Sequence, residues 1–325
     1  MSSLSQSQPS YLTTLQKQGY VLIPSLLPAS TLQSLKQASL TATSLARSGS
    51  WPYFRTVPKQ FPPWPTNIPP PASEGGIWGV QHLLHPDMPG RREFAGFYFS
   101  EEVLSVVEGL LGIESHYSKG ERQEGGGERL VMELFNLLIA PESEDFELRW
   151  HRDDIPSDVS PEEEQRLLDS KSPGGRQSHA QYNLALCDDS SLIVVPGSHR
   201  RMRTETERNA DPFEGDLPGQ VVVELKPGDA VFYDSNILHR GVYKAKEQGG
   251  EETRLTLHGS VGIKEVDGGD TGDKKVRATA VLQHGVGAWV QRWDAAFGIG
   301  ERAERMRANL VAMGSGEGVG YSLQE

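Results

Sequence analysis

An apolar run, Leu130-Val131-Met132-Glu133-Leu134-Phe135-Asn136-Leu137-Leu138-Ile139, leads shortly into Trp150-His151-Arg152-Asp153, and His239 and Arg254 follow further along the chain. The run reads as a buried strand. His151 and Asp153 stand two residues apart, so in an extended segment both side chains point to the same face. A His-x-Asp pair with one distant histidine is a ligand set that holds non-heme Fe(II) and leaves other coordination positions open. Arg254 opens Arg254-Leu255-Thr256. A guanidinium takes a carboxylate through two parallel hydrogen bonds, and a hydroxyl two residues on shares its face. The set predicts an iron site beside a site for a dicarboxylic co-substrate.

A second His-x-Asp, His85-Pro86-Asp87, lies in a Pro- and Gly-rich loop with no strand leading into it, and reads as a surface turn. The first pair has a different setting. Two turn signals follow it, Val195-Pro196-Gly197-Ser198-His199 and Lys226-Pro227-Gly228-Asp229, and the second leads through Ala230-Val231-Phe232-Tyr233 towards His239.

The ordered set His151-x-Asp153, Leu192-Ile193-Val194-Val195-Pro196-Gly197-Ser198-His199, Pro227-Gly228-Asp229, His239 and Arg254-x-Thr256 resembles the phytanoyl-CoA dioxygenase family. These are Fe(II)- and 2-oxoglutarate-dependent oxygenases. The resemblance spans roughly residues 130 to 263, and Tyr20-Val21-Leu22-Ile23-Pro24 is similar to the family's N-terminal strand. It implies a double-stranded β-helix (a cupin-like jelly roll), hence a β-rich α+β fold with flanking N- and C-terminal helices, as a single oxygenase domain over residues 1–325. It also implies iron on His151, Asp153 and His239, and 2-oxoglutarate with its distal carboxylate on Arg254 and Thr256. With O2 as the third reactant, a C–H bond of a small-molecule substrate is hydroxylated and succinate and CO2 are released. In related halogenases a small residue replaces the carboxylate, so Asp153 points to hydroxylation, desaturation or ring formation. Two features depart from the family pattern. Asn183, ahead of Ala185-Leu186, stands where members often carry an aromatic residue, and the acidic turn Asp188-Asp189-Ser190-Ser191 is shorter than usual.

His179, Gln181 and Asn183 alternate with Ala180, Tyr182 and Leu184, giving one polar and one apolar face. In a jelly roll with an internal site the polar row lines the cavity, where its groups find partners. Gln181 and Asn183 are therefore candidate co-substrate pocket residues. Asn136, an amide in an apolar strand, must be hydrogen-bonded if buried, either to 2-oxoglutarate or to a backbone group. His258 shares a face with Arg254 and Thr256 and is expected beside the ligands rather than among them.

The balance of 32 basic against 44 acidic residues, a formal charge of -12, argues against a nucleic-acid-binding surface. The basic stretch His199-Arg200-Arg201-Met202-Arg203 reads as a solvated loop or a clamp for an acidic substrate group. One cysteine, Cys187, excludes an internal disulfide and reads as a small core residue. The N-terminus has no signal pattern, no apolar run reaches membrane-spanning length, and the chain does not end in a peroxisomal signal, so a cytoplasmic protein without a membrane partner is expected. Oligomeric state is not legible.

Elsewhere, a helix over 28–46 with Ser30 or Thr31 as cap and another over 101–111 ending at Gly112 are expected. The Pro/aromatic stretch 51–73 reads as a wrapping arm or as a wall of the substrate pocket. The insertion 157–178, with a helix start at Pro161, reads as a lid or a passive surface excursion. Residues 204–219 form a polar loop. Residues 284–313 read largely as one helix, with Trp289, Trp293 and Phe297 as a packing stripe. Two alternatives to the oxygenase reading remain: an iron enzyme that uses no 2-oxoglutarate, and a catalytically silent relative that binds a metal or small ligand.

Overall fold

The computed structural model describes residues 10–56, 68–113, 128–171, 177–245, 254–264 and 272–314. Helix α1 (Tyr11–Gln18) and strand β1 (Tyr20–Ile23) precede helix α2 (Ala29–Arg47), strands β2 (Phe54–Thr56) and β3 (Ile77–Val80), and helices α3 (Arg91–Tyr98) and α4 (Glu101–Leu110). Then come β4 (Leu130–Ile139), β5 (Phe146–Glu147), helix α5 (Pro161–Lys171), β6 (His179–Ala185), β7 (Leu192–Val195) and helix α6 (Glu205–Asn209). Strands β8 (Val221–Val222), β9 (Ala230–Tyr233), β10 (Leu238–Tyr243) and β11 (Leu255–Ile263) precede helices α7 (Gly272–Gln283) and α8 (Glu301–Met313).

The strands form a seven-stranded sheet, β1-β9-β6-β11-β4-β3-β2, and a four-stranded sheet, β5-β10-β7-β8. All pairings are antiparallel. The fold is a jelly roll. Ala185, Val231 and Tyr233 of the larger sheet pack against Leu192, Val194, Val223 and Leu225 on the side of the smaller one, which closes one end of the space between the sheets. The outer face of the large sheet, with Phe54, Val80, Phe135, Leu137, Tyr182 and Leu257, shares a core with Leu35, Phe94, Phe97, Val107, Met306 and Leu310 from the helices. Strand alternation therefore sends the apolar residues out to the helices and the polar ones in between the sheets.

The pairing of β11 with β4 is bulged between Gly259 and Val261, where Glu133 and Leu134 of β4 stand opposite the single residue Ser260. The Tyr98 hydroxyl fills the gap, donating to the Ser260 carbonyl at 2.6 Å and accepting from the Glu133 N–H at 2.9 Å. Two buried backbone groups that the bulge would orphan are thereby satisfied.

Several expectations need correction. Residues 284–300 are not helical: a short 3-10 turn at Val286–Ala288 is followed by irregular chain up to α8. Gly285 and Gly300 sit at φ 92° and 132°, which L side chains rarely adopt, and they break the helix that the aromatic spacing suggested. Trp289 is buried, Trp293 is 94% exposed and Phe297 packs against Phe99, so the three do not form one stripe. Helix α2 starts on Pro28 with no side-chain cap, so neither Ser30 nor Thr31 serves. His85 lies in a turn but is buried against Trp51, Tyr53 and Trp289. In the stretch 204–219, Thr204 and Glu207 build a reciprocal cap that starts α6. In the Pro/aromatic stretch, Trp51 is buried and donates to the Gln81 carbonyl at 3.0 Å, whereas Phe61 and Trp64 lie outside the described residues. The glycines expected to hinge the insertion, Gly174 and Gly175, also lie outside them.

The helical part of that insertion is clamped. Glu164 on α5 accepts from Arg152 Nε at 2.9 Å, Arg203 Nε at 2.8 Å and Arg208 Nη2 at 2.5 Å. Burial disfavours its charge, yet the Arg152 and Arg203 guanidiniums beside it hold its carboxyl below the usual range. The basic stretch is likewise occupied internally rather than clamping a substrate: Arg200 donates to the Gln16 carbonyl, Arg201 to Glu207 and Arg203 to Glu164. Replacing Glu164 by Ala strands buried guanidiniums without their anion. The expected cost is about 3–5 kcal/mol, read as a lower urea midpoint; an unchanged midpoint contradicts the clamp.

Candidate metal centre

His151 lies on an extended segment that runs beside β10, not on a full strand. It exchanges two backbone hydrogen bonds with His239, of 3.0 and 3.1 Å, and Asp153 N–H donates to the Ser235 carbonyl at 2.8 Å. These bonds bring the three candidate ligands together, with their donor atoms all within 4.8 Å of one another. The Nε2 atoms of His151 and His239 stand 3.4 and 3.6 Å from Asp153 Oδ1. Each ring is oriented by its other nitrogen: Nδ1 of His151 donates to the Arg149 carbonyl at 2.7 Å and Nδ1 of His239 to that of Ile237 at 2.8 Å. A carbonyl only accepts, so Nδ1 carries the proton and both Nε2 lone pairs face the carboxylate. Three electron-pair donors converge, an arrangement that a divalent cation relieves and that suits the 2-His-1-carboxylate set. Burial, then His151, push His239 down to about 4, keeping its imidazole neutral. Burial disfavours the Asp153 carboxylate, whereas the hydrogen bond from the Gln181 amide favours it.

Arg152 points away from its neighbours. Fully buried, it donates to Glu164, to the carbonyls of Ser198 and Arg201, and to that of Asn236. Ser198, from the Pro-Gly-Ser-His turn, accepts the Leu238 N–H at 2.7 Å, next to His239. The residues flanking the candidate ligands thus anchor them.

Gln181 donates from Nε2 to Asp153 Oδ2 at 2.9 Å, reaching across from the large sheet. Asn183, His258 and Asn136 form one row across β6, β11 and β4. His258 Nδ1 donates to Asn183 Oδ1 at 2.8 Å, and burial pushes its pKa down to about 4, so this imidazole is neutral. Asn136 Oδ1 accepts the His82 N–H at 3.3 Å, while its buried Nδ2 has no hydrogen-bond partner among the described residues. Of the two contacts expected for Asn136, the backbone one is made and a donor is left over.

Arg254 donates from Nε to Asp189 Oδ1 at 3.0 Å and lies 4.7 Å over the Tyr243 ring. Its Nη2 is buried without a hydrogen-bond partner among the described residues. Thr256 shares its surroundings but gives its proton to Asp189 Oδ2, so it braces the acid rather than offering a donor of its own. Ser191 N–H also donates to Asp189, at 2.8 Å, and Cys187 Sγ accepts the Leu255 N–H at 3.0 Å. Burial works against the Asp189 charge, and Arg254, Thr256 and Ser191 hold it ionised below the usual range. Asp189 is the residue that sequence reasoning passed over: its turn was noticed for its length, and its pairing with position 254 exists only once β11 lies beside that turn.

A family model described as phytanoyl-CoA dioxygenase (PhyH) matches residues 15–242. The chain belongs to this family. It is accordingly an oxidoreductase, of a family whose Fe(II) and 2-oxoglutarate chemistry the triad and the unused donor of Arg254 fit. The structure of EctD from S. alaskensis with 2-oxoglutarate and 5-hydroxyectoine is similar at 16% identity and a TM-score of 0.50, covering 81% of this chain and 78% of that one. AviO1 from Streptomyces viridochromogenes Tue57 is similar at 16% identity and a TM-score of 0.49 (78% and 93% covered). HygX from Streptomyces hygroscopicus, with nickel and 2-oxoglutarate bound, is similar at 16% identity and a TM-score of 0.48 (78% and 85% covered). A comparison with curated proteins finds no match. At such identity the EctD likeness concerns the fold. No helix among the described residues is long and apolar enough to cross a membrane.

Beside the centre, buried Asp234 accepts the Asn236 N–H at 2.8 Å and a bond from Gln177, yet burial pushes its pKa up to about 7. The folded state thus binds this proton more tightly than the unfolded one. The resulting stabilisation is full below the unfolded value of about 4 and disappears as pH rises through about 7. In Asp234→Asn the pH dependence of urea stability should flatten over that window, leaving the variant ahead of wild type at pH ~8; parallel profiles for the two proteins contradict the assignment.

Proposed function

We propose that this family member hydroxylates a C–H bond of a small molecule, with iron on His151, Asp153 and His239 and the distal carboxylate of 2-oxoglutarate on Arg254. The observation that carries the reading is the pairing of two features: three converging electron-pair donors, and a buried guanidinium nitrogen, Arg254 Nη2, with no hydrogen-bond partner among the described residues. The bound iron and 2-oxoglutarate supply oxygen activation and C–H oxidation, with succinate and CO2 released.

The chain's own residues do the rest. The carbonyls of Arg149 and Ile237 hold both imidazoles in the tautomer that leaves Nε2 free for the metal. Gln181 occupies Asp153 Oδ2 and leaves Oδ1 towards the histidines. Asp189 holds Arg254 by its Nε and the Ile139 carbonyl accepts from its Nη1 at 3.4 Å, so Nη2 is presented to a carboxylate without cost of reorganisation at binding. Asn136 Nδ2 offers a second buried donor to the bound organic acid, and Asn183 orients His258 on the substrate side. Retention of Asp153 keeps a carboxylate where halide chemistry would need a vacancy, which favours hydroxylation, desaturation or ring formation over halogenation.

Anaerobic titration of the apoprotein with Fe(II) and 2-oxoglutarate should produce a weak visible charge-transfer band. His151→Ala should abolish it. Arg254→Ala should weaken 2-oxoglutarate at least roughly tenfold while iron still binds, the loss expected of a charge-assisted bond. A folded, iron-loaded wild type with no band overturns the proposal. Asp189→Asn should also weaken 2-oxoglutarate, by a smaller factor, without changing iron affinity; this is checked in the same titration, and unchanged affinity refutes the bracing role.

A further inference from the structure

Arg55 is the residue of β2 that turns inward. Its neighbours Phe54 and Thr56 are buried, with Phe54 in the core beneath the helices, so alternation sends Arg55 to the opposite face. The pairing of β2 with β3 is bulged: Arg55 faces Gly79 but Thr56 faces Ile77, which leaves Trp78 as the extra residue. The bulge has a directional consequence. Ile77 and Val80 both join the outer core, while Trp78 packs inward against Leu138 and Tyr243.

Register then places Arg55, Gly79, Leu138 and Thr256 in one row across β2, β3, β4 and β11, next to the Asn136–His258–Asn183 row. Gly79 matters here because it has no side chain. A Cβ at that position would stand 3.2 Å from Arg55 Cδ and 3.3 Å from the Leu137 carbonyl, so the arginine stem lies across space that only glycine leaves open. The guanidinium carbon sits 5.2 Å from the centre of the Trp78 ring, and Trp78 lies 5.4 Å from Tyr243. The other side of this aromatic pair carries Arg254, 4.7 Å from the Tyr243 ring. Two guanidiniums therefore flank one aromatic pair between the sheets. Burial opposes the charge on Arg55, and the groups that favour it are Tyr243, Tyr233 and Asp153, all of this site. The neutral imidazole of His258 lies within its field.

We infer that Arg55 is a second carboxylate-binding position of the pocket and takes a carboxylate of the molecule to be oxidised. The inference rests on the iron and 2-oxoglutarate reading, in which the distal carboxylate of the co-substrate is on Arg254 and its keto-acid end on the metal. A guanidinium carries several in-plane N–H donors, a geometry that suits the planar edge of a carboxylate. The same chemistry could come from the keto-acid end of 2-oxoglutarate, and the test separates the two sources.

The test compares wild type, Arg55→Gln and Arg55→Lys as full-length, Fe(II)-loaded, anaerobic proteins, with matched near-ultraviolet circular dichroism as the folding control. One arm measures 2-oxoglutarate affinity from the visible band. The other saturates 2-oxoglutarate and follows tryptophan emission during titration with three acid and amide pairs: phenylacetate and phenylacetamide, cyclohexanecarboxylate and its amide, hexanoate and hexanamide. Wild type should bind at least one acid roughly tenfold more tightly than its amide. Arg55→Gln should lose that preference and Arg55→Lys keep part of it, with 2-oxoglutarate affinity unchanged in both. A tenfold loss of 2-oxoglutarate affinity in Arg55→Gln, with the acid preference intact, assigns the bound carboxylate to the co-substrate and overturns the substrate assignment. No acid preference in wild type, with 2-oxoglutarate affinity equal in all three proteins, overturns the inference altogether. A wild type without the visible band fails the underlying reading instead, so the two failures are distinguishable.

Discussion

Polar side chains buried between two sheets must be paired, and this constraint shapes the centre of the molecule. Unpaired, each would cost on the order of 1–3 kcal/mol. Nearly every polar group on the inner face has a specific answer: Gln181 on Asp153, His258 on Asn183, Thr256 and Arg254 on Asp189. The exceptions carry the information. Among the described residues these include Arg254 Nη2 and Asn136 Nδ2, buried donors with no hydrogen-bond partner, and the triad is a set of acceptors without a donor between them. The first two call for an organic acid and the third for a cation.

Rigidity at the centre comes from residues that never face it. Arg152 stands between the two candidate ligands of the His-x-Asp pair and is anchored by Glu164 and three backbone carbonyls. Alternation along an extended segment turns adjacent side chains to opposite faces, so a ligand pair at spacing two comes with an anchor built in. Helix α5 belongs to the same structure, because Glu164 gathers arginines from three places in the chain. The described part of the insertion is accordingly a brace. On the far side, Asp189 does for Arg254 what Glu164 does for Arg152: a buried acid fixes a guanidinium by one edge. At Asp189 one guanidinium nitrogen, Nη2 of Arg254, is left without a hydrogen-bond partner among the described residues.

Much of this could be read from the chain in advance, and the failures have identifiable causes. The strand at 130–139, the helix starts near 101 and 161, and the jelly-roll order of motifs all carried local signals, either alternation or turn chemistry. The supposed helix over 284–313 failed because aromatic spacing imitates an amphipathic stripe, while Gly285, Gly298 and Gly300 set backbone angles that end it. His85 was misjudged because loop composition says little about burial; Trp51, Tyr53 and Trp289 cover it from distant parts of the chain. The basic stretch at 200–203 looked available because its acidic partners, Glu164 and Glu207, are identified only by contact.

The sequence by itself determined the chemistry on offer: which side chains can ligate a metal, that His151 and Asp153 would share a face, and that the face carrying Gln181 and Asn183 is polar. These follow from residue type and from the period of a strand, which are local properties. Only the tertiary structure decided which of those groups remain available. That Thr256 spends its proton on Asp189, that Arg254 keeps one nitrogen without a hydrogen-bond partner among the described residues, and that the pairing of Arg55 with Gly79 sets it on the row of Thr256 all depend on register between strands far apart in the chain. Register is set by the packing of whole sheets, and a shift of one residue would turn every one of these side chains to the other face.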